Sequence, residues 1–448
     1  MSFPATPAVS SATLAPAQPI VPTKWRPATR IAFRLCIVYF GLYVLLTQML
    51  TSLLFTTTND NGAFEVDMTG AAKAIVTWIA AHVFRVGHAL VTIETGSGDR
   101  VYDWVELAVI AVLAIAGAVA WSVLDRKRAS YPALFRWSHL IGRFALGATL
   151  LTYGAVKVFP LQMPSTTLYR LLEPYGNFSP MGVLWASVGA VPAYEVFVGS
   201  LELLGGVLLF FPRTALLGAL IGLADATEVF TLNMTYDVPV KLLSFNMILL
   251  ALFILAPDIR RLLRCLVFNR VTEPAPDRRL FRSQRANRIA LAVQAVFALY
   301  LIGGNLYGAA VAHAAGAGPK PPLYGIWQVS SFTEDGVAHP PLLTDTARWR
   351  RWIFDRYPGR MVLQDMSDAA RGYAVAIDMK ASTLALSRPA EKGWKASFNF
   401  SQPGPGQLQL DGSMDGHHVQ ASLQLLDRNS FLLVTRGFHW VQDYPFNR

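Results

Sequence analysis

Residues 104–124 read WVELAVIAVLAIAGAVAWSVL, with a single charge at Glu106. A helix rises 1.5 Å per residue, so this run reaches about 30 Å, the depth of a bilayer's hydrocarbon core. An uninterrupted apolar run of that length predicts a membrane-spanning helix. Comparable runs lie at 31–55, 139–158, 192–211, 213–233, 240–256 and 288–311. The sequence therefore predicts a polytopic α-helical membrane bundle of about seven transmembrane helices over residues 25–311. The sixth run is short but bounded by Pro239 and Pro257. Residues 1–24, rich in Pro, Ala, Ser and Thr, lack a basic segment before an apolar core, and read as a disordered tail rather than a cleaved signal.

Composition agrees. The chain of 448 residues is 53% hydrophobic and 15% charged, against roughly 25% charge in soluble domains. Residues 70–90 are apolar but broken by Lys73, His82, Arg85 and His88. They are expected to lie on the membrane surface; a spanning alternative would reverse the topology.

The net charge of +10 suggests nucleic acid only until its placement is considered. Cations gather at Lys24–Arg30, Arg126–Arg136, Arg213 and Arg260–Arg288, including Arg278, between apolar runs. The alternate loops carry only Lys73, Arg85, Arg100, Lys157, Arg170 and Lys241. Short cytoplasmic loops are enriched in Lys and Arg, so the N-terminus is expected in the cytoplasm and the C-terminal domain outside it. The lipid bilayer, not nucleic acid, is the expected partner. Cys36 and Cys265 are the only cysteines. With no CxxC, no CxxCH and no zinc-ligand spacing, no structural disulfide, haem attachment or metal site is expected.

After a Gly/Pro/Ala linker at 312–322 the hydrophobic period changes to two. Residues 395–400, 407–411 and 419–425 alternate, with Asp411-Gly412 and Asp415-Gly416 read as turns. Eight or nine strands in residues 323–448 predict an all-β barrel or sandwich. Gly325-Ile326-Trp327, with Arg436 expected in the last strand, resembles lipocalin-like barrels, in which an arginine covers the Gly-x-Trp ring. The alternative is an ordinary core tryptophan. The aromatic end, Gly437–Trp440 and Tyr444–Arg448, is expected to pack as strand and close the barrel; a surface docking towards the membrane is the alternative.

Charged side chains inside apolar helices are costly and mark candidate sites. Glu195 and Glu202 are seven apart, hence on one face, alongside Gly199 and Gly206. Asp225 and Glu228 follow Gly218 and Gly222, while Arg143, Gly147, Gly154 and Lys157 share another face. Small-residue stripes allow close helix approach, so these three helices are expected to pack through them. Glu202 and Asp225 fall near mid-membrane as candidate proton-transfer residues, with no cation expected at their depth and at least one expected to carry a proton. Lys157 is expected to pair with Glu195 or reach towards water. Tyr153 and Tyr194 are candidate hydrogen-bond donors to a ligand, with Lys157, Glu195 and Glu228 completing the site. The competing reading makes the carboxyls interhelical polar glue.

The segments Arg143–Gly147, Tyr153–Pro160 and Glu202–Gly206, with Arg213 and Gly218, resemble DoxX-like membrane proteins. Ser179–Trp185 and Tyr236–Leu242 resemble a longer bacterial subgroup with extra helices and a C-terminal domain. The resemblance implies a four-helix core at about 137–260 and a bacterial inner (plasma) membrane with the C-terminal domain periplasmic or extracellular. It also implies a quinone-linked oxidoreductase or redox-accessory subunit, with a partner protein for the other half-reaction. Two other classes remain open: a carrier for an apolar ligand, and a scaffold docking a partner through the β domain. A deep cavity in the barrel would favour the carrier and a filled interior the scaffold.

Overall fold

The computed structural model describes residues 24–56, 70–93, 95–274, 279–388, 391 and 393–447. The tail expected at 1–24 lies outside these except for Lys24, as do Arg278 and Arg448. The helices are α1 (Pro27–Leu46), α2 (Gln48–Leu54), α3 (Gly70–His82), α4 (Val101–Leu124), α5 (Pro132–Val158), α6 (Pro180–Ala190), α7 (Pro192–Phe210), α8 (Ala215–Thr235), α9 (Lys241–Leu255), α10 (Ile259–Leu262) and α11 (Gln284–Gly316). Proline opens α1, α5, α6 and α7, where its missing N–H costs nothing.

Among the described residues, six helices are long and apolar enough to cross a membrane: α1, α4, α7, α8, α11 and the continuous segment Lys241–Val267. The expected span at 139–158 belongs to α5, which is 27 residues long but less apolar, carrying Arg136, Arg143 and Lys157. The single span expected at 31–55 is instead two helices. Thr47 is extended; its hydroxyl donates to the Tyr43 carbonyl (2.7 Å), and the same oxygen accepts from the Met49 N–H (3.4 Å). It thus ends α1 and caps α2. The 13 described residues of α3 fall short of the roughly 20 that a crossing needs, and Val76 and Ala80 pack on Tyr102 and Val105 of α4.

Helix α5 lies at the centre of the bundle, and glycines set its distance from α7. A Cβ on Gly154 would lie 2.9 Å from the Gly199 carbonyl oxygen, and one on Gly206 would lie 2.8 Å from that of Gly147. The same holds between α7 and α8, where a Cβ on Gly218 would meet the Leu209 nitrogen at 2.7 Å. The three glycine faces read from the sequence are therefore the packing faces. Arg143 closes the end of α7: its Nε and Nη2 donate to the Leu209 and Phe210 carbonyls (2.8 and 2.9 Å), which the helix itself leaves without partners. The outward faces of α4 and α11 stay apolar and exposed, as at Val112, Ile115, Val119, Val293 and Val296.

Beyond α11 come β1 (Gly325–Glu334), β2 (Val337–Ala338), β3 (Trp349–Phe354), β4 (Arg360–Asp365), β5 (Ala370–Asp378), β6 (Thr383–Ser387), β7 (Lys395–Ser401), β8 (Gln407–Met414) and β9 (His417–Leu426). Neighbours pair antiparallel, and β1 pairs with β9 from Ile326↔Leu426 to Glu334↔Val419. This closes an eight-stranded barrel and excludes the sandwich. Alternation delivers the inner face, as in β7, where Ala396, Phe398 and Phe400 are buried. The interior is filled by Trp327, Trp349, Trp352, Phe354, Phe398 and their neighbours.

Three details differ from the sequence reading. Asp411-Gly412 is not a turn but lies within β8, where a Cβ on Gly412 would sit 2.1 Å from the Ser397 carbonyl oxygen. Asp415-Gly416, with φ of +54° and +89°, does make the β8–β9 turn. Arg436 is not in a strand. The ladder ends at Leu426, and Arg436 follows a short helix α12 (Leu432–Thr435), contacting His439, Gln442 and the Phe446 ring. Trp327 is capped differently, its Nε1 donating to the Leu323 carbonyl at 2.7 Å. Nor does the aromatic end form strand: Phe438, Trp440 and Tyr444 are exposed. Gly325 (φ +148°) leaves room for Leu425, whose Cδ1 would lie 2.3 Å from a Cβ there.

The barrel rests on the loop between α5 and α6. Asp355 accepts the Leu168 N–H (2.7 Å), Arg356 donates to the Ser165 carbonyl and hydroxyl, and Leu168 is buried with Ile326 and Ile353.

Candidate ligand-binding cavity

A cavity of about 550 Å³ lies among α5, α6, α7, α8 and α9. All seven candidate site residues chosen from the sequence line it: Tyr153, Lys157, Tyr194, Glu195, Glu202, Asp225 and Glu228. They converge because α5 and α7 approach closely. Gly199 faces Lys157 so tightly that a Cβ on the glycine would lie 2.6 Å from the Lys157 Cβ. Lys157 thereby lies beside the acidic face of α7.

That placement corrects two expectations. Lys157 Nζ donates to Glu202 Oε1, both side chains being almost wholly buried. A cation therefore does reach the depth of Glu202, and Lys157 pairs with it rather than with Glu195. Glu195 is only 1% exposed and accepts the Met163 backbone N–H at 3.0 Å. The Tyr153 hydroxyl donates to Gln48 Oε1 on α2 (3.2 Å). The Tyr153 ring stands 5.9 Å from Lys157 Nζ. Tyr194, 50% exposed, and Glu228, also exposed, stand at the rim.

Several wall residues escaped the sequence reading. Trp185 Nε1 donates to the Gln162 carbonyl (3.1 Å), and Asn233 Nδ2 donates to the Val240 carbonyl (3.2 Å) and Ser244 Oγ (3.0 Å). The one signal for them was the polar character of Gln162, Asn233 and Ser244 within otherwise apolar surroundings. Among the described residues, the buried oxygens that have no hydrogen-bond partner include Gln162 Oε1, Glu195 Oε2, Glu202 Oε2 and Asp225 Oδ2. All four residues line this cavity.

Elsewhere the histidines serve local contacts. His139 reaches the Ile254 carbonyl (2.9 Å), and His417 and His418 bind Asp335 (2.7 Å) and Asp411 (2.9 Å). The hydrogen bond that His417 donates to the Asp335 carboxylate raises the His417 pKa. Among the described residues no group of three or more His, Cys, Asp or Glu is arranged to hold a metal ion. A cavity of about 180 Å³ lies in the barrel near Trp349 and Tyr373, beside the aromatic cluster that fills its core.

Fold and site together define a bundle of helices suited to a membrane, enclosing a carboxylate-lined cavity and carrying a closed β-barrel. The chain is 31% identical over 134 residues, 30% of its length, to "Uncharacterized protein YwoB" of Bacillus subtilis (strain 168), covering 80% of that protein. It belongs to the same family as that protein. Those 134 residues are four fifths of the relative, which is too short to contain both the bundle and the barrel. No protein-family profile matches the chain, and no solved structure matches it.

Proposed function

We propose that this chain is a DoxX-like integral membrane protein whose helical bundle binds a lipid-soluble small molecule. The observation that carries the reading is the convergence of seven polar residues from three helices on one largely apolar cavity, with four buried oxygens left to bond a ligand. Pockets of about 300–1,000 Å³ with a few placed polar groups are typical ligand sites. Polar glue alone would satisfy its own atoms. The quinone that the resemblance implies is one candidate for that molecule. Its reduction would take two protons, from Asp225 and from the Lys157–Glu202 pair, and two electrons from a partner redox protein. The resemblance supplies the quinone; the cavity supplies the acids.

The barrel supports a second role, docking a partner. Its packed interior leaves little volume for a carried ligand, which favours a scaffold over a carrier in this domain.

The test is mass spectrometry of small molecules extracted from gently purified protein, compared with Val198→Trp, which puts a large ring into the cavity wall. A lipid-soluble compound retained by the parent and lost from the variant is the expected result. Identical extracts from two folded proteins would overturn the proposal.

A further inference from the structure

We infer that the ligand of this cavity carries a positively charged, hydrogen-bond-donating head: an amine joined to an apolar, preferably aromatic, body. The inference rests on the reading that the cavity binds a small molecule, and it specifies which chemical class.

Hydrogen-bond accounting carries it. Much of the wall's buried donor capacity is committed to protein acceptors, Lys157 to Glu202, Trp185 to the Gln162 carbonyl, Tyr153 to Gln48 and Asn233 to the Val240 carbonyl and Ser244, while the Tyr194 hydroxyl stands at the exposed rim. The wall's acceptors are not so committed. Gln162 Oε1, Glu195 Oε2, Glu202 Oε2 and Asp225 Oδ2 are buried without partners, and Glu195 and Glu202 are 1% and 2% exposed. A quinone offers two carbonyls, both acceptors, and so presents these oxygens with the wrong half of a hydrogen bond. An ammonium offers three N–H donors and no acceptor.

Charge points the same way. Among the described residues, four carboxyl side chains, Glu195, Glu202, Asp225 and Glu228, share the cavity with one cation, Lys157. An uncompensated buried carboxylate is costly, and a cationic ligand compensates where the protein does not. Trp185 and Tyr194 on the same wall provide ring faces that attract cations and stack on an aromatic body.

The experiment titrates the full chain in lipid nanodiscs with three probes by calorimetry: 4-phenylbutylamine, its uncharged counterpart 4-phenylbutan-1-ol, and decylubiquinone. Empty nanodiscs and Val198→Trp serve as blanks. The amine is expected to bind saturably and at least about tenfold more tightly than the alcohol, a difference of the kind made by close charge pairs. Glu195→Gln with Asp225→Asn should remove most of that preference, bringing the amine's affinity down towards the alcohol's. Should the double variant fail to fold, Asp225→Asn alone, at a partly exposed position, makes the same comparison. Equal binding of amine and alcohol overturns the inference. Saturable quinone binding without amine binding overturns it while leaving the cavity's ligand role intact. If no probe binds and the extracts of parent and Val198→Trp are identical, the ligand role falls as well.

Discussion

Lys157 and Glu202 show how much rests on a single pair of side chains. Each is nearly fully buried and each neutralises the other. Deleting one partner leaves the other as an uncompensated charge, at a cost of about 3–5 kcal/mol, while replacing both with apolar groups is often neutral. Lys157→Met should therefore lower the thermal unfolding temperature in detergent markedly, and Lys157→Met with Glu202→Leu should recover most of the loss. A double variant no more stable than the single one would mean that the pair is not what holds this depth of the bundle together. The pairing was half legible in the sequence. Both residues were visible as candidates, but helical spacing places residues on one helix only. The partner on the neighbouring helix depends on how closely the backbones approach, which is a tertiary quantity.

At the scale of elements, that approach is set by glycine. With backbone atoms within 3 Å of any added Cβ at Gly154, Gly199, Gly206 and Gly218, the helices have no room for a side chain. Gly199→Leu should separate α5 from α7 and cost at least the 1–3 kcal/mol typical of overpacking. Weaker thermal stability, together with loss of any compound retained from the cavity, is the expected readout; an unchanged unfolding temperature would show that the contact is not tight. These stripes were readable because small residues at helical spacing have a direct geometric meaning. Element ends were less so. The break at Thr47 depends on a side-chain hydrogen bond inside an apolar run, and Asp411-Gly412 has the composition of a turn, although here the glycine lets the neighbouring strand β7 approach closely. The tail after Leu426 was misread because its apolar rings suggest burial, whereas the barrel had already closed on β1 and had no place for another strand.

For the whole molecule, the division into a helical bundle and a β-barrel followed from the change of period near residue 320, and the barrel's seat on the loop after α5 did not. The arginine asymmetry sets an expectation for orientation that reporter fusions can check. Alkaline phosphatase fused after residue 447 should be active and green fluorescent protein dark, since the C-terminal domain is expected outside the cytoplasm; the opposite pattern would invert the topology. The seat itself has a mechanical meaning. The loop that Asp355 and Arg356 grip at Ser165 and Leu168 is the one whose Met163 N–H is bonded by Glu195 at the wall of the cavity. Only Pro164 separates Met163 from Ser165, so the seat of the barrel and a carboxyl of the cavity wall are tied to one short segment of chain.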